Sequence, residues 1–196
     1  LTEGPGAVEG APIALCGFMG SGKSTVGRRV AHALRRGFFD SDELVEARLG
    51  RTVVDLFSHG EEKLFRATEA QVIAEIVAHR PSGVLSLGGG ALEDLRTRSL
   101  VFGETVAVHL DRPLSAILAS LERLQSRRPL LVGRTTEEIT ELYRSRTGAF
   151  AHCPITVAVE DHDVNAVVGL VLERLVEFGV TPTDTEEVSG GRHRPN

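Results

Sequence analysis

The sequence predicts an α/β fold, a five-stranded parallel sheet between two layers of helices, and two patterns carry that expectation. Short apolar runs recur from Ile13 to Cys16, Phe38 to Phe39, Val84 to Leu87, Val106 to Leu110 and Ile155 to Val159, without alternate-residue polarity. Strands buried on both faces read this way. Longer stretches with apolar residues at helical spacing separate the runs, and strands that alternate with amphipathic helices assemble into a parallel sheet. Ligands of such sheets bind beyond the carboxyl ends of the strands.

Taken in order, the first run leads into a helix with Val26, Val30, Ala33 and Leu34 on one face. The second run ends in acidic residues and enters another helix. A long helix from Glu61 to His79 stripes Leu64, Phe65, Val72, Ile73, Ile76 and Val77, and the third strand follows it. Asp111 follows the fourth run, where "DRP" starts a helix, and capping by Asp111 is the reading preferred over a metal-side role. A last helix from Asp163 to Phe178 stripes Val164, Val167, Val168, Val171 and Leu175 after the fifth run. Residues 1–11 and 180–196 lack apolar periodicity and are expected to be flexible tails around one domain spanning 12–179.

At 196 residues the chain suits a single well-buried domain. A net charge of −5 gives no reason to expect a nucleic-acid or membrane partner. No apolar segment approaches the roughly 20 residues needed to cross a bilayer, and a cytoplasmic protein is expected. Cys16 and Cys153 have no metal-ligand spacing and read as buried free thiols rather than a disulfide. The seven histidines form no pair at ligand spacing, which favours surface or packing roles.

The chain has 22 basic residues, yet only two are lysines, Lys23 and Lys63. Lys23 sits in "GFMGSGKST", where Gly17, Gly22, Lys23 and Ser24 fit G-x-x-x-x-G-K-[ST] between a strand and a helix. Glycines let the backbone curl its N–H groups onto phosphate oxygens, and the helix N-terminus adds favourable partial charge. A lysine ammonium is a compact charge on a flexible stem that can follow β- and γ-phosphates, whereas arginine's planar fork does not fit the loop's interior. The Ser24 hydroxyl is placed for a magnesium ion bridging those phosphates. No N-K-x-D motif accompanies the loop, which argues against a GTPase.

"FFDSDELVE" puts Asp40 and Asp42 two residues apart after a strand, so in extended backbone both carboxylates point to one side. One reading gives them to magnesium and to the proton of an attacking hydroxyl. The other makes Ser41 or Asp42 the cap of the next helix. "VLSLGGGA" places Gly88, Gly89 and Gly90 at another strand's carboxyl end, where they mark close approach of backbone to a ligand or a plain tight turn.

In this order and at these separations, "GFMGSGKST", "DSD", "GEEKLFR", "SLGGGA" and "RRPLL" resemble shikimate kinase over roughly residues 12–178. The resemblance implies a three-layer α/β/α P-loop kinase fold with a mobile lid, and ATP-dependent phosphorylation of the 3-hydroxyl of shikimate on the route to chorismate and the aromatic amino acids. It implies that Gly20, Ser21, Gly22, Lys23, Ser24 and Thr25 hold ATP, and that Mg2+ is held by Ser24 and, through water, by Asp40. Asp42 matches the partner of the substrate hydroxyl and base. Arg66 and Arg146 match the arginines on the substrate carboxylate, Gly88 to Gly90 the segment lining the substrate pocket, and Arg128 the lid arginine on the transferring phosphoryl group. Paired guanidinium forks suit a planar carboxylate. The lid is expected at 123–134, and a monomer is the family's usual state.

Three places depart from the family pattern. Leu121 and Glu122 stand near the usual adenine-stacking arginine, with Arg123 as a displaced candidate, Phe150 replaces a customary tyrosine, and "EDHDV" lacks basic residues. The nearest rival is a kinase of the same fold acting on gluconate or a shikimate-like secondary metabolite. A nucleotide-binding module without transfer chemistry is a further alternative, but it would not need Asp42, Arg66 and Arg146 around a second ligand.

Overall fold

The computed structural model describes residues 10–79, 82–120, 135–159 and 163–180. Strands β1 (Ile13–Cys16), β2 (Phe38–Asp40), β3 (Val84–Ser86), β4 (Val106–Asp111) and β5 (Ile155–Ala158) form one parallel sheet in the order β2-β3-β1-β4-β5. Ile13 lies opposite both Val84 and Val106, so β1 is central and the chain leaves it for one side of the sheet and later crosses to the other. The crevice at such a switch point opens beyond the carboxyl end of β1.

The helices are α1 (Lys23–Ala33), α2 (Ser41–Leu49), α3 (Val53–Ser58), α4 (Glu62–His79), α5 (Leu95–Glu104), α6 (Leu114–Ala119), α7 (Thr136–Phe150) and α8 (Val164–Glu177), with a 3-10 turn at Ala91–Glu93. Ile13 and Leu15 of β1 join Val26 and Val30 of α1 and Val167, Val171 and Leu175 of α8 in one core layer. Ala14 and Cys16 face the opposite layer, with Ile73 of α4, Val101 of α5 and Phe150 of α7. Alternate β1 side chains thus serve two apolar faces, and the strand shows no polar period because neither face meets water. α1 lies so close to the sheet that a methyl carbon on Gly27 would sit 2.6 Å from a Phe38 ring carbon. A smaller cluster of Val45, Leu56, Phe65 and Val72 joins α2, α3 and α4 beside the sheet.

Several sequence expectations shift. In β5, Thr156 and Ala158 are exposed while Ile155 and Val157 are buried, because this is an edge strand with one open face. On α1 it is Ala31, not Ala33, that is buried, and Leu64 of α4 faces outward. Val180, assigned to the C-terminal tail, is fully buried, its N–H donating to Leu175 O. The other residues of the 180–196 tail, all but two of the 1–11 tail and the expected lid at 123–134 lie outside the described residues. Among the described residues no helix is long and apolar enough to cross a membrane.

Candidate active site

The loop between β1 and α1 is shaped by close backbone approach. Gly17 takes a φ of 144°, and a methyl carbon there would lie 2.6 Å from Leu110 O of β4. Gly22, with φ 92°, is the N-cap residue of α1 and makes no side-chain cap, leaving the first N–H groups of the helix facing the loop. Lys23 is buried, and its Nζ donates to Gly17 O at 2.9 Å and Phe18 O at 3.1 Å. The ammonium therefore sits inside the loop. Gly20, Ser21, Gly22 and Thr25 flank it as the motif requires, with Ser21 buried and Thr25 exposed. Arg112 donates from Nη1 to Gly20 O at 2.7 Å and so braces the loop from the end of β4. The motif contains no hint of this contact; the only signal was a basic residue after a strand's carboxyl end.

In "DSD" the helix cap is Asp40. It is the N-cap of α2, accepting from Asp42 N at 3.1 Å on Oδ1, and accepts from Ser24 Oγ at 2.6 Å on Oδ2. Neither Ser41 nor Asp42 caps the helix, and Asp42 lies in its first turn rather than in extended backbone. The expectation that both carboxylates point to one side of a strand is thereby replaced: Asp40 turns to the phosphate loop and Asp42 to Gly88. Asp111 also differs from expectation. The N-cap of α6 is Pro113, with no side-chain cap, because a proline ring carries no oxygen to accept from the helix N–H groups.

Gly88 and Gly90 are needed for room, whereas a methyl carbon on Gly89 would lie 3.3 Å from Met19 N. A methyl carbon on Gly88 would lie 2.0 Å from Glu69 Oε1 and 2.9 Å from Asp42 Oδ1. On Gly90 it would lie 2.7 Å from Arg66 Nη2 and 2.9 Å from Arg146 Nη2. The two guanidinium groups thus converge over one glycine, and the backbone passes beneath charged side chains. Gly88 N donates to Ser41 Oγ at 2.8 Å, anchoring the segment to α2.

Each arginine is held from behind. Arg66 donates from Nη1 to Glu69 Oε2 at 2.7 Å and lies 5.1 Å from the Phe65 ring centroid. Arg146 is 3% exposed, pairs through Nε with Glu93, and lies 5.9 Å from the Phe18 ring centroid. Burial pulls the Arg146 guanidinium down from its ordinary range, against the opposing effect of Glu93. Glu69 is a buried acid that the sequence did not single out. Burial raises its carboxyl to about 7, Arg66 opposes the rise, and the nearby charge of Asp42 adds to it. The signal available was its place one turn after Arg66.

A cavity of about 710 Å³ adjoins these groups between α4 and the turn after β3, lined by Arg66, Glu69, Ile73, Gly90 and Glu93. The structure therefore gathers Lys23, Ser24 and Asp40 at one end of the crevice, and Asp42, Arg66, Arg146 and Gly88 to Gly90 at the other. Arg128 lies outside the described residues. Phe150, where tyrosine was customary, is a core residue stacked on His109 at 4.7 Å. Behind the loop, Cys16 and Cys153 are free thiols with sulfurs 3.0 Å apart. Among the described residues no cluster of three or more histidine, cysteine or acidic residues could by itself hold a metal ion.

Known proteins resemble this chain in sequence and in fold. A family model described as shikimate kinase matches residues 19–176. The shikimate kinase of Thermobifida fusca is 36% identical over 170 residues, 86% of this chain and 97% of that protein. A solved structure of shikimate kinase from Acinetobacter baumannii in complex with shikimate superposes with a TM-score of 0.78 at 28% identity, covering 85% of this chain and 93% of that one. A gluconokinase from Sinorhizobium meliloti reaches a TM-score of 0.51 at 19% identity, over 86% of this chain and 93% of that one, which is a likeness of fold alone.

Proposed function

The chain belongs to the shikimate kinase family, and on that premise we propose how its own residues transfer the γ-phosphoryl group of ATP to the 3-hydroxyl of shikimate, giving shikimate 3-phosphate and ADP. The observation that carries the reading is the convergence of Arg66 and Arg146 over Gly90, with Asp42 two glycines away at Gly88. Two guanidinium groups on one carboxylate fix which hydroxyl of a small ring reaches the phosphate end of the crevice. Asp42 accepts the proton of that hydroxyl as its oxygen bonds to the γ-phosphorus and the bond to the ADP oxygen breaks.

At the other end, Lys23 exchanges its contacts with Gly17 O and Phe18 O for β- and γ-phosphate oxygens, and the loop from Gly20 to Thr25 supplies N–H donors. Ser24 and Asp40 fit a magnesium ion, because a hydroxyl and a carboxylate already 2.6 Å apart are the hard oxygen donors that ion takes. Ser24 would hold it directly and Asp40 through water; when bound it neutralises charge on the phosphates. Arg128 is assigned the charge of the transferring phosphoryl group by its match to the family's lid arginine. We place the enzyme in the cytoplasm as a monomer.

A coupled ADP-release assay with shikimate, with and without Mg2+, tests the reading. Saturable, magnesium-dependent ADP release is expected. Turnover with gluconate and none with shikimate would reverse the substrate assignment.

A further inference from the structure

We propose that Glu93 is a positioning residue for Arg146, holding the guanidinium by its Nε so that both Nη groups face the substrate carboxylate. The inference rests on the function proposed above and adds a residue that no motif contains.

An arginine offers acceptors two edges, the Nε side and the Nη1/Nη2 end, in a rigid plane. In Arg146 the Nε edge is taken by Oε1 of Glu93, the last residue of the Ala91–Glu93 turn. Nη2 lies 2.9 Å from the methyl position of Gly90, and Nη1 lies 3.7 Å from that of Gly89. Nη1 is buried and finds no hydrogen-bond partner among the described residues. A buried charged donor left unpaired is unfavourable, and it points to an acceptor that arrives with the substrate. Arg66 offers Nη2 to the same place.

Glu93 itself is 46% exposed and lines the cavity. Solvent screens the charge attraction of such a pair, so Glu93 contributes mainly by orientation. Without it, rotation about the Arg146 side chain would swing one Nη group off the carboxylate.

The test is steady-state kinetics on wild type, Glu93→Ala and Glu93→Gln, with shikimate and ATP varied separately. Glu93→Ala is expected to raise KM for shikimate about ten-fold, with kcat changed less than about three-fold and KM for ATP unmoved. Glu93→Gln keeps an oxygen acceptor for Nε and is expected within about two-fold of wild type. A KM for shikimate in Glu93→Ala equal to or below that of wild type would overturn the proposal, and a fall would mean that Glu93 competes with substrate. Glu93→Gln as impaired as Glu93→Ala would also overturn it. Wild type that turns over no shikimate would remove the parent reading together with this one.

Discussion

Replacing Glu69 by glutamine should change how stability depends on pH in a direction that can be worked out in advance. Glu69 is 2% exposed, with Arg66 on one oxygen, and Asp42 and Arg146 acting on it from α2 and α7. Burial outweighs the arginines and lifts its carboxyl from 4.5 to about 7. The folded protein therefore holds a proton that the unfolded chain releases at lower pH, and stability is lost as pH rises through that window. At 1.36 kcal/mol per pH unit, the step from 4.5 to about 7 corresponds to about 3 kcal/mol. Glutamine is uncharged at every pH and removes this dependence while keeping the shape. Urea unfolding of both proteins between pH 4.5 and 8 gives the difference in stability directly. The wild-type advantage over Glu69→Gln should shrink by about 3 kcal/mol across the window and level off above it. A difference that is flat, or that grows with pH, would refute the reasoning, since it would mean that Arg66 and Arg146 stabilise the ionised carboxylate at least as much as burial opposes it.

Asp42→Asn should lower turnover by about 10²- to 10⁴-fold, as expected for a lost base, while a titration shows ATP affinity nearly unchanged; unaltered turnover would remove Asp42 from the reaction. Gly88→Ala forces a methyl group to 2.0 Å from Glu69 Oε1, an oxygen on a buried side chain with little room to move. A fall in kcat/KM for shikimate of about 100-fold is expected, with ATP binding retained, and kinetics within a few-fold of wild type would show that the segment tolerates a side chain. Burial and the Cys153 sulfur raise the Cys16 thiol well above its ordinary range, so little thiolate forms near neutrality. Alkylation of Cys16 by iodoacetamide at pH 7.5, followed by peptide mapping, should be at least about ten-fold slower in the native protein than in urea; equal rates would contradict that environment.

The parts legible in sequence are those written in contiguous residues. The phosphate loop could be read because a strand, three glycines with positive φ and a lysine at the helix start specify their own backbone geometry, and Lys23 lies where the motif demands. The parallel sheet could be read because strands with no wet face leave continuous apolar runs; β5 misled the reading because an edge strand returns to alternation. Arg66, Arg146 and Asp42 entered by likeness to a family, since any one charged residue otherwise reads as solvated surface. Tertiary structure alone decided that Asp40 both caps α2 and meets Ser24, that Arg112 braces the loop, and that Glu69 and Glu93 stand behind the two arginines. These roles depend on burial and on pairing between segments far apart in the chain, such as Arg146 on α7 with Glu93 after β3. No local pattern encodes such a pairing, because its partners become neighbours only when α7 and the Ala91–Glu93 turn pack into the same core layer.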